Sequence, residues 1–228
     1  MPYMCSMTKP LLVRALGRQP YEPVWRAMQA FTDGRGPETP DELWMVEHDP
    51  VFTLGQAGRW EHVLLPGEIP VVPVDRGGQV TYHGPGQIVG YPILDLKPDR
   101  CDVHRYVRDV EELMIRVCAD YGVAAERVKG LTGTWVGPDK IGAIGVRISR
   151  WITSHGFAFN VSTNLDHFGL IVPCGIADRG VTSLERATGR HLSIAEVEHA
   201  IVRHFADVFE RDPRARDGAG AARPESRA

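Results

Sequence analysis

The feature that most restricts the fold of this 228-residue chain is a glycine- and proline-rich stretch at residues 75–96. It holds five glycines and two prolines in 22 residues, yet it is not the Gly/Ser-rich polar sequence of a flexible linker. Its glycines are interleaved with valine, tyrosine, isoleucine and leucine. The pair Gly77-Gly78 allows the backbone to approach another group closely or to adopt positive φ. The stretch therefore predicts ordered structure in which bare backbone lies beside polar side chains.

Within this stretch the pattern predicts a strand, a tight turn and a second strand. Residues 79–83 alternate as a β-strand does, and residues 84–86, Gly-Pro-Gly, force a turn. Residues 88–96 predict the second strand, in which Pro92 is restricted to a sheet edge or an irregular position. A hairpin that serves only as architecture explains the pattern as well as a binding site does.

The composition is that of an ordinary globular protein, with 43% hydrophobic and 24% charged residues. The net charge of −3 disfavours a nucleic-acid partner, because general binding to nucleic acid needs a basic excess. The sequence has no apolar run of the roughly 18 residues that a membrane span requires. Its N-terminus lacks the long apolar segment of a signal peptide. We therefore expect a cytoplasmic protein with neither nucleic-acid nor membrane partners.

Apolar periodicity predicts helices and strands within a single domain. Residues 103–121 carry one apolar stripe behind Asp102, a suitable N-cap, and residues 193–196 form a capping box before a final helix. Large apolar residues are almost absent from residue 212 onward. We expect one domain over residues 1–211 and a disordered tail over residues 212–228.

Two neighbouring strands, predicted within residues 140–148 and 152–160, are unusually rich in small residues. Each has one face of glycine and alanine, because alternate side chains of a strand share a face. Such faces either leave a slot that suits an acyl chain or pack closely against another backbone. The residues alone do not decide between these alternatives.

The four cysteines, at positions 5, 101, 118 and 174, match no metal-binding spacing. Cys118 lies on the apolar stripe of the predicted helix, which favours a buried structural thiol. Only Cys174, between Pro173 and Gly175 in a predicted turn, has a setting that suits nucleophilic catalysis.

A nucleophilic cysteine needs a base or a cation nearby, because a thiol with a pKa of about 8.5 is mostly protonated at neutral pH. The candidates for that partner are His83, His155, His167 and Lys140. The residues alone favour a histidine, the commonest general base. On the same grounds, Lys140 is more simply explained as a solvated lysine that follows a turn.

The glycine-rich stretch resembles the signature of the lipoyl(octanoyl) transferases: Arg-Gly-Gly, two residues, Thr-Tyr-His-Gly-Pro-Gly-Gln, then Gly-Tyr-Pro-Ile. The similarity includes residues 48–56 and extends over about residues 11–209. It implies an α+β fold like the catalytic domain of biotin and lipoate protein ligases, with a mixed β-sheet flanked by helices and a smaller second sheet.

The resemblance also implies the chemistry. Cys174 would carry the acyl group as a thioester, and Lys140 would be its acid/base partner. The octanoyl group would pass from octanoyl-acyl carrier protein to a lysine of lipoyl domains, in 2-oxoacid dehydrogenase complexes and in the glycine cleavage H protein, as a step of lipoate biosynthesis. No metal or cofactor is implied, because the conversion of a thioester to an amide is downhill. The implied substrate-binding residues are Arg76, Gly77, Gly78, Gln79, Val80, Thr81, Tyr82, His83, Ala143, Ile144, Gly145, Gly156, Phe157 and Ala158.

Three alternatives remain at this point. An ATP-dependent lipoate or biotin protein ligase has a similar glycine-rich block, but it forms an acyl-adenylate and needs no cysteine. A cysteine hydrolase would pair Cys174 with a histidine and release a free acid. A non-catalytic carrier-protein binding module would have no need of both Lys140 and Cys174.

Overall fold

The computed structural model describes residues 8–98, 100–172 and 179–215, which form ten strands and four helices. The strands are β1 (Lys9–Gln19), β2 (Asp41–His48), β3 (Val51–Leu54), β4 (Val71–Pro73), β5 (Val80–His83), β6 (Gln87–Ile93), β7 (Thr134–Val136), β8 (Asp139–Ser149), β9 (Ile152–Asn160) and β10 (Arg211–Ala215). The helices are α1 (Tyr21–Asp33), α2 (Val103–Asp120), α3 (Leu184–Thr188) and α4 (Ile194–Phe209), and short 3₁₀ turns lie at Trp60–His62 and Leu165–Leu170.

The strands divide into a large mixed sheet and a small second sheet. The large sheet has the order β10-β1-β2-β6-β9-β8-β7, in which β1 is parallel to both of its neighbours and the other pairs are antiparallel. The small sheet has the order β4-β3-β5. The predicted α+β architecture, a mixed sheet with helices and a smaller sheet, is confirmed.

The predicted strand, tight turn and second strand are confirmed, but the two strands belong to different sheets, so the hairpin alternative is wrong. β5 pairs with β3 in the small sheet, whereas β6 lies between β2 and β9 in the large one. The turn between them is tight: Gly86 has a φ of +81° and the Gln87 amide donates to the carbonyl of Gly84 (3.1 Å). A turn of this kind reverses the chain without requiring its two flanking strands to pair with each other.

Pro92 lies in an interior strand but beyond the part of β6 that pairs on both sides. It is opposite Leu43 of β2, whereas the register with β9 runs only from Gln87 to Gly90 of β6. On the open side, the hydroxyl of Thr153 donates to the Pro92 carbonyl (2.7 Å). Pro92 therefore takes the irregular position, where its missing N–H leaves no ladder bond unmade.

Helices pack on the large sheet through two separate apolar cores. The larger core joins α2 and α4 to the sheet and includes the fully buried Cys118, whose pKa burial raises to about 12. The smaller core joins α1 to the sheet through Val24 and Met28. No helix in the described ranges is both long enough and apolar enough to cross a membrane.

The helix starts follow the sequence signals only in part. Asp102 caps α2, its carboxylate accepting from the Arg105 amide (3.0 Å). Ser193 occupies the N-cap of α4, but among the described residues its side chain makes no capping hydrogen bond. The capping box therefore predicts where the helix begins, but it does not predict the hydrogen-bond partners of the first backbone amides.

The last described strand lies in the segment that was expected to be disordered. Residues 212–215 belong to β10, which pairs with β1 in parallel. Arg211 anchors the strand, because its buried guanidinium pairs with Asp41 (3.2 Å), which also binds Arg35 (2.9 Å). Residues 216–228 lie outside the described residues.

Candidate active site

A cavity of about 470 Å³ opens where the glycine-rich stretch meets β8 and β9. Its walls come from both sheets, from Tyr21 at the start of α1 and from residues 130–132 before β7. Every residue of the implied substrate-binding set except Tyr82 lines it, and Lys140 lines it as well. The structure thus brings three distant segments of the chain together at one opening.

Glycines in and near the wall of this cavity allow close packing against backbone or against side chains. A Cβ on Gly145 would lie 2.9 Å from Cδ of Arg76, and one on Gly156 would collide with the Gly90 carbonyl. Gly142 packs in the same way against Met114 of α2. Close packing and a slot therefore occur together: Gly145 and Gly156 are closely packed and also line the cavity, as does the cross-strand pair Ala143 and Ala158.

Tyr82 points away from the cavity, as its place in the strand requires. Its buried ring packs against Phe52 and Phe168 in the core of the small sheet. The ring of His167 contacts it edge-on, with the centroids 4.8 Å apart. Neither Tyr82 nor His167 is therefore among the described residues that line the cavity.

Arg76 builds the wall of the cavity. Its guanidinium donates to the Thr53 carbonyl (2.7 Å), to the Thr53 hydroxyl (2.8 Å) and to the Gly77 carbonyl (2.9 Å), with 6% of the residue exposed. Gly77 in turn donates its amide to the carbonyl of Val146 in β8 (2.9 Å). The arginine thus holds the small sheet against the large one.

His83 is held neutral and has both ring nitrogens engaged. Nδ1 lies 2.7 Å from Oε1 of Gln87, and Nε2 lies 3.3 Å from the hydroxyl of Thr53. Burial lowers the pKa of His83 to about 3, so at neutral pH the ring is uncharged. Tyr21 stacks on the same ring at a centroid distance of 5.9 Å. These contacts disfavour His83 as the general base that the sequence left open.

The buried His155, which lines the cavity, pairs with the partly exposed Asp75. Nε2 of His155 lies 2.8 Å from Oδ1 of Asp75, which also accepts from the Trp25 indole (3.1 Å) and pairs with Arg147 (3.0 Å). The hydrogen bond from His155 keeps the pKa of Asp75 well below its usual range, whereas burial lowers the pKa of His155. A neutral His155 that donates to an ionised Asp75 fits both shifts.

Lys140, which lines the cavity, lies against an aromatic ring. It is the cross-strand partner of the buried Trp135 in the β7–β8 pair, and Nζ is 4.7 Å from the centroid of the indole. The guanidinium carbon of Arg179 is 5.1 Å from the same ring. Beside the lysine stem, Gly133 has a φ of +117°, and a Cβ there would lie 2.5 Å from the Gly142 carbonyl, so this position requires glycine. A cation over an indole ring is favourably placed, so the ring helps to set the position of the ammonium group.

Cys174 lies outside the described residues, but the chain on its C-terminal side is fixed beside Lys140. The Lys140 amide donates to the Gly180 carbonyl, and the Thr182 amide donates to the Lys140 carbonyl, both at 3.0 Å. Cys174 is five positions before Arg179 in the sequence, which limits the distance between their Cα atoms to at most about 18 Å.

Several cavity residues carry no signal in the sequence. Tyr21, Val89, Tyr91 and Val107 come from α1, β6 and α2, and only the tertiary fold brings them together. Asn160, which lines a small annex that adjoins the cavity, has a weak signal, since it is a polar residue that follows Phe159 at the end of β9. Within the described ranges no group of three or more histidine, cysteine, aspartate or glutamate side chains is arranged to hold a metal ion.

Residues 20–206 match the family model of the lipoyl protein ligase A/B catalytic domain. The bi-partite lipoate protein ligase of Thermoplasma acidophilum has the same fold, with a TM-score of 0.73 and 19% identity over 92% of this chain and 87% of that one. Lipoate-protein ligase A bound with ATP gives a TM-score of 0.71 and 19% identity over 92% and 89% of the two chains. Fold and family model together define a catalytic domain of the lipoyl protein ligase A/B class.

Relatives of higher identity define its branch of that class. The octanoyltransferase of Xanthomonas campestris pv. campestris (strain 8004) is 57% identical over 175 residues, 77% of this chain and 75% of that protein. The octanoyltransferase of Cellvibrio japonicus (strain Ueda107) is 47% identical over 198 residues, 86% and 92% of the two chains. This chain belongs to the octanoyltransferase family, and it is an acyltransferase.

Proposed function

We propose that this chain moves an octanoyl group from the thioester of an acyl carrier protein to the lysine ε-amine of a lipoyl domain, through a thioester on Cys174. The observation that carries the proposal is the cavity: its small-residue wall can accept an acyl chain, and Lys140 is one of the residues that line it. The octanoyltransferase relatives, 47–57% identical, support the acyl group. Cys174 is close enough to Arg179 in the sequence for its sulfur to lie near Lys140.

In the first half-reaction the Cys174 thiolate attacks the carbonyl carbon of the donor thioester. A new carbon–sulfur bond forms, the bond to the carrier's thiol breaks, and the Lys140 ammonium protonates the departing sulfur. The ammonium also favours the attacking thiolate, because an opposite charge within a few ångströms lowers the pKa of a thiol.

In the second half-reaction neutral Lys140 removes a proton from the acceptor amine. The amine attacks the Cys174 thioester, an amide bond forms, and the thiolate leaves as the nucleophile for the next cycle. Lysine can serve in both steps because it can gain and lose a proton, as arginine in a protein cannot. The conversion of a thioester to an amide is downhill and needs no ATP.

The test is a reaction with octanoyl-carrier protein and a lipoyl domain, with and without MgATP. The proposal predicts an octanoyl amide on the lipoyl domain in both cases. Dependence on MgATP would instead indicate an acyl-adenylate and a ligase.

The His155–Asp75 pair supports one competing function, a cysteine hydrolase in which an oriented histidine activates Cys174. That enzyme would release free octanoate rather than form an amide. It would also lose its activity in His155→Gln and keep it in Lys140→Ala, which is the reverse of our expectation.

A further inference from the structure

One hydrogen-bonded chain runs from the cavity wall to the backbone beside Lys140, and the sequence assigned no role to its central members, Gln87 and Asn160. Gln87 lies at the start of β6 and Asn160 at the end of β9, where the two are register partners. Both are buried, with 1% and 4% of the residue exposed. Buried amides of this kind are costly unless every donor and acceptor finds a partner.

The direction of this chain is fixed at its inner end. The Thr182 carbonyl can only accept, so the Asn160 amide nitrogen must face it (3.0 Å). The Asn160 oxygen then faces Gln87 and accepts from its amide nitrogen (2.9 Å). That same nitrogen also donates to the Tyr82 carbonyl (3.2 Å), which agrees with this orientation.

The direction continues to the outer end. Because the nitrogen of Gln87 faces Asn160, its oxygen faces His83 and accepts from Nδ1–H (2.7 Å). Nε2 of His83 therefore carries no proton and accepts from the Thr53 hydroxyl (3.3 Å), which itself accepts from Arg76 (2.8 Å). In every hydrogen bond of this series the donor lies on the Arg76 side and the acceptor on the Thr182 side.

At the inner end the chain reaches the proposed catalytic lysine through backbone alone. The Thr182 amide donates to the Lys140 carbonyl, and the Lys140 amide donates to the Gly180 carbonyl, both at 3.0 Å. Asn160, Lys140 and Arg179 also line one small annex that shares several residues with the main cavity.

We propose that Asn160 is a positioning residue of the transfer reaction, which holds the 179–182 segment against Lys140 by its hydrogen bond to the Thr182 carbonyl. The expected effect of Asn160 on the rate of transfer rests on the proposed function. Its expected effect on the position of residues 179–182 does not depend on which substrate the enzyme uses. Asn160 acts through Thr182 and touches no reacting atom.

The first test removes the amide with Asn160→Ala. Backbone hydrogen exchange should become faster at the amides of Lys140 and Thr182, because the segment that pairs with β8 loses its side-chain anchor. The kcat of amide formation should fall roughly 10–100-fold, as expected for a displaced catalytic group, while KM for the acyl donor is unchanged. Unchanged exchange at both amides would overturn the positioning role, whatever reaction the enzyme performs.

The second test uses Asn160→Asp, which keeps the shape and removes the donor while the new carboxyl is ionised. A protonated carboxyl can donate to the Thr182 carbonyl and accept from Gln87, so it restores the chain. Burial favours that neutral form, whereas Lys140 and Arg179 in the same annex favour the ionised one, and His83 behind Gln87 is uncharged. The rate relative to Asn160→Ala should therefore rise as pH falls.

The matched control is Asn164→Asp, the same change at an exposed residue whose side chain caps a 3₁₀ turn. Its rate and its hydrogen exchange at Lys140 and Thr182 should equal those of the wild type. A ratio of Asn160→Asp to Asn160→Ala that stays constant with pH would overturn the directed chain. Faster exchange in Asn160→Ala, together with no octanoyl transfer by the wild type, would overturn the proposed function and leave the positioning role standing.

Discussion

Lys140 and Trp135 face each other across the β7–β8 pair, so one cross-strand contact determines where the lysine ammonium lies. The sequence supplied the lysine through a resemblance and gave no reason to connect it with a tryptophan five residues earlier. That connection depends on strand register, which a short strand such as β7 does not reveal. The sequence therefore predicts the candidate role of Lys140 but not the Trp135 ring against which it lies.

Substitution of Lys140 should separate charge from proton transfer. Lys140→Ala should slow both half-reactions, with the loss of general acid–base catalysis worth roughly 10²–10⁴-fold. Lys140→Arg keeps a cation that can lie over Trp135 but cannot release its proton, so acylation of Cys174 should persist while amide formation fails. Rapid-quench measurements of acyl-enzyme and amide report the two steps separately.

The control for this pair is Lys97→Ala, which removes an exposed lysine that pairs with Asp95. It should leave both half-reactions unchanged. Full amide formation by Lys140→Arg would exclude lysine as the base and would make His155 the leading candidate.

Gly145 offers a test of the cavity wall. In Gly145→Val the side chain would begin 2.9 Å from Cδ of Arg76 and 3.1 Å from the Gly77 carbonyl, so one of these two cavity-lining residues must shift. We expect a raised KM for octanoyl-carrier protein. The matched control is Gly36→Val, at a loop position where a Cβ would meet nothing within 4 Å. A wild-type KM in folded Gly145→Val would place the acyl chain elsewhere.

At the scale of elements, the periodic segments were predictable and their partners were not. The stripe of α2 and its Asp102 cap gave the helix, Val103–Asp120, to within a residue at its C-terminal end. The pattern also predicts the strands on either side of the Gly-Pro-Gly turn, but it does not show that they belong to different sheets. Local pattern fixes strand and turn, whereas the choice of sheet depends on which distant strand each edge meets, here β3 for β5 and β2 for β6.

Substitution of Cys118 tests whether this thiol of α2 contributes only to stability. Its sulfur is fully buried in the core between α2, α4 and the sheet. Cys118→Ala should lower the free energy of unfolding by about 1–2 kcal/mol, within the ordinary range for a small core truncation, and leave turnover unchanged. Urea denaturation and a transfer assay measure the two effects. Lost turnover in a folded Cys118→Ala protein would show that this thiol has a role in the chemistry.

For the whole molecule, the two sheets meet at a buried polar layer rather than an apolar one. His48 and His83 lie in that layer, and burial lowers their pKa values to about 4 and about 3. The ordinary pKa of histidine is about 6.5, so between these values the unfolded chain binds protons that the folded chain does not. The pattern of apolar and polar residues predicts the helices well. It predicts the junction between the sheets poorly, because polar residues are buried there.

Stability should therefore fall as pH drops below about 6.5. As pH falls from the unfolded-state pKa of such a histidine to its folded-state pKa, the free energy of unfolding decreases by up to about 1.4 kcal/mol per pH unit. Above the unfolded-state pKa the histidine adds no pH dependence. His48→Gln should flatten the pH dependence of the unfolding free energy between pH 6 and 5 by up to about 1.4 kcal/mol. Val24→Ala, a truncation in the nearby α1 core, should lower stability and leave that slope unchanged. A wild-type slope in His48→Gln would contradict the burial effect.

The central claim, a covalent acyl-enzyme on Cys174 served by Lys140, is tested most directly by intact mass spectrometry after mixing the protein with octanoyl-carrier protein and no acceptor. We predict the gain of one octanoyl group, located on Cys174 by digestion, absent in Cys174→Ala, retained in Cys118→Ala and discharged when a lipoyl domain is added. Amide formation on the lipoyl domain at the wild-type rate by folded Cys174→Ala, with no adduct on any cysteine, would contradict the account.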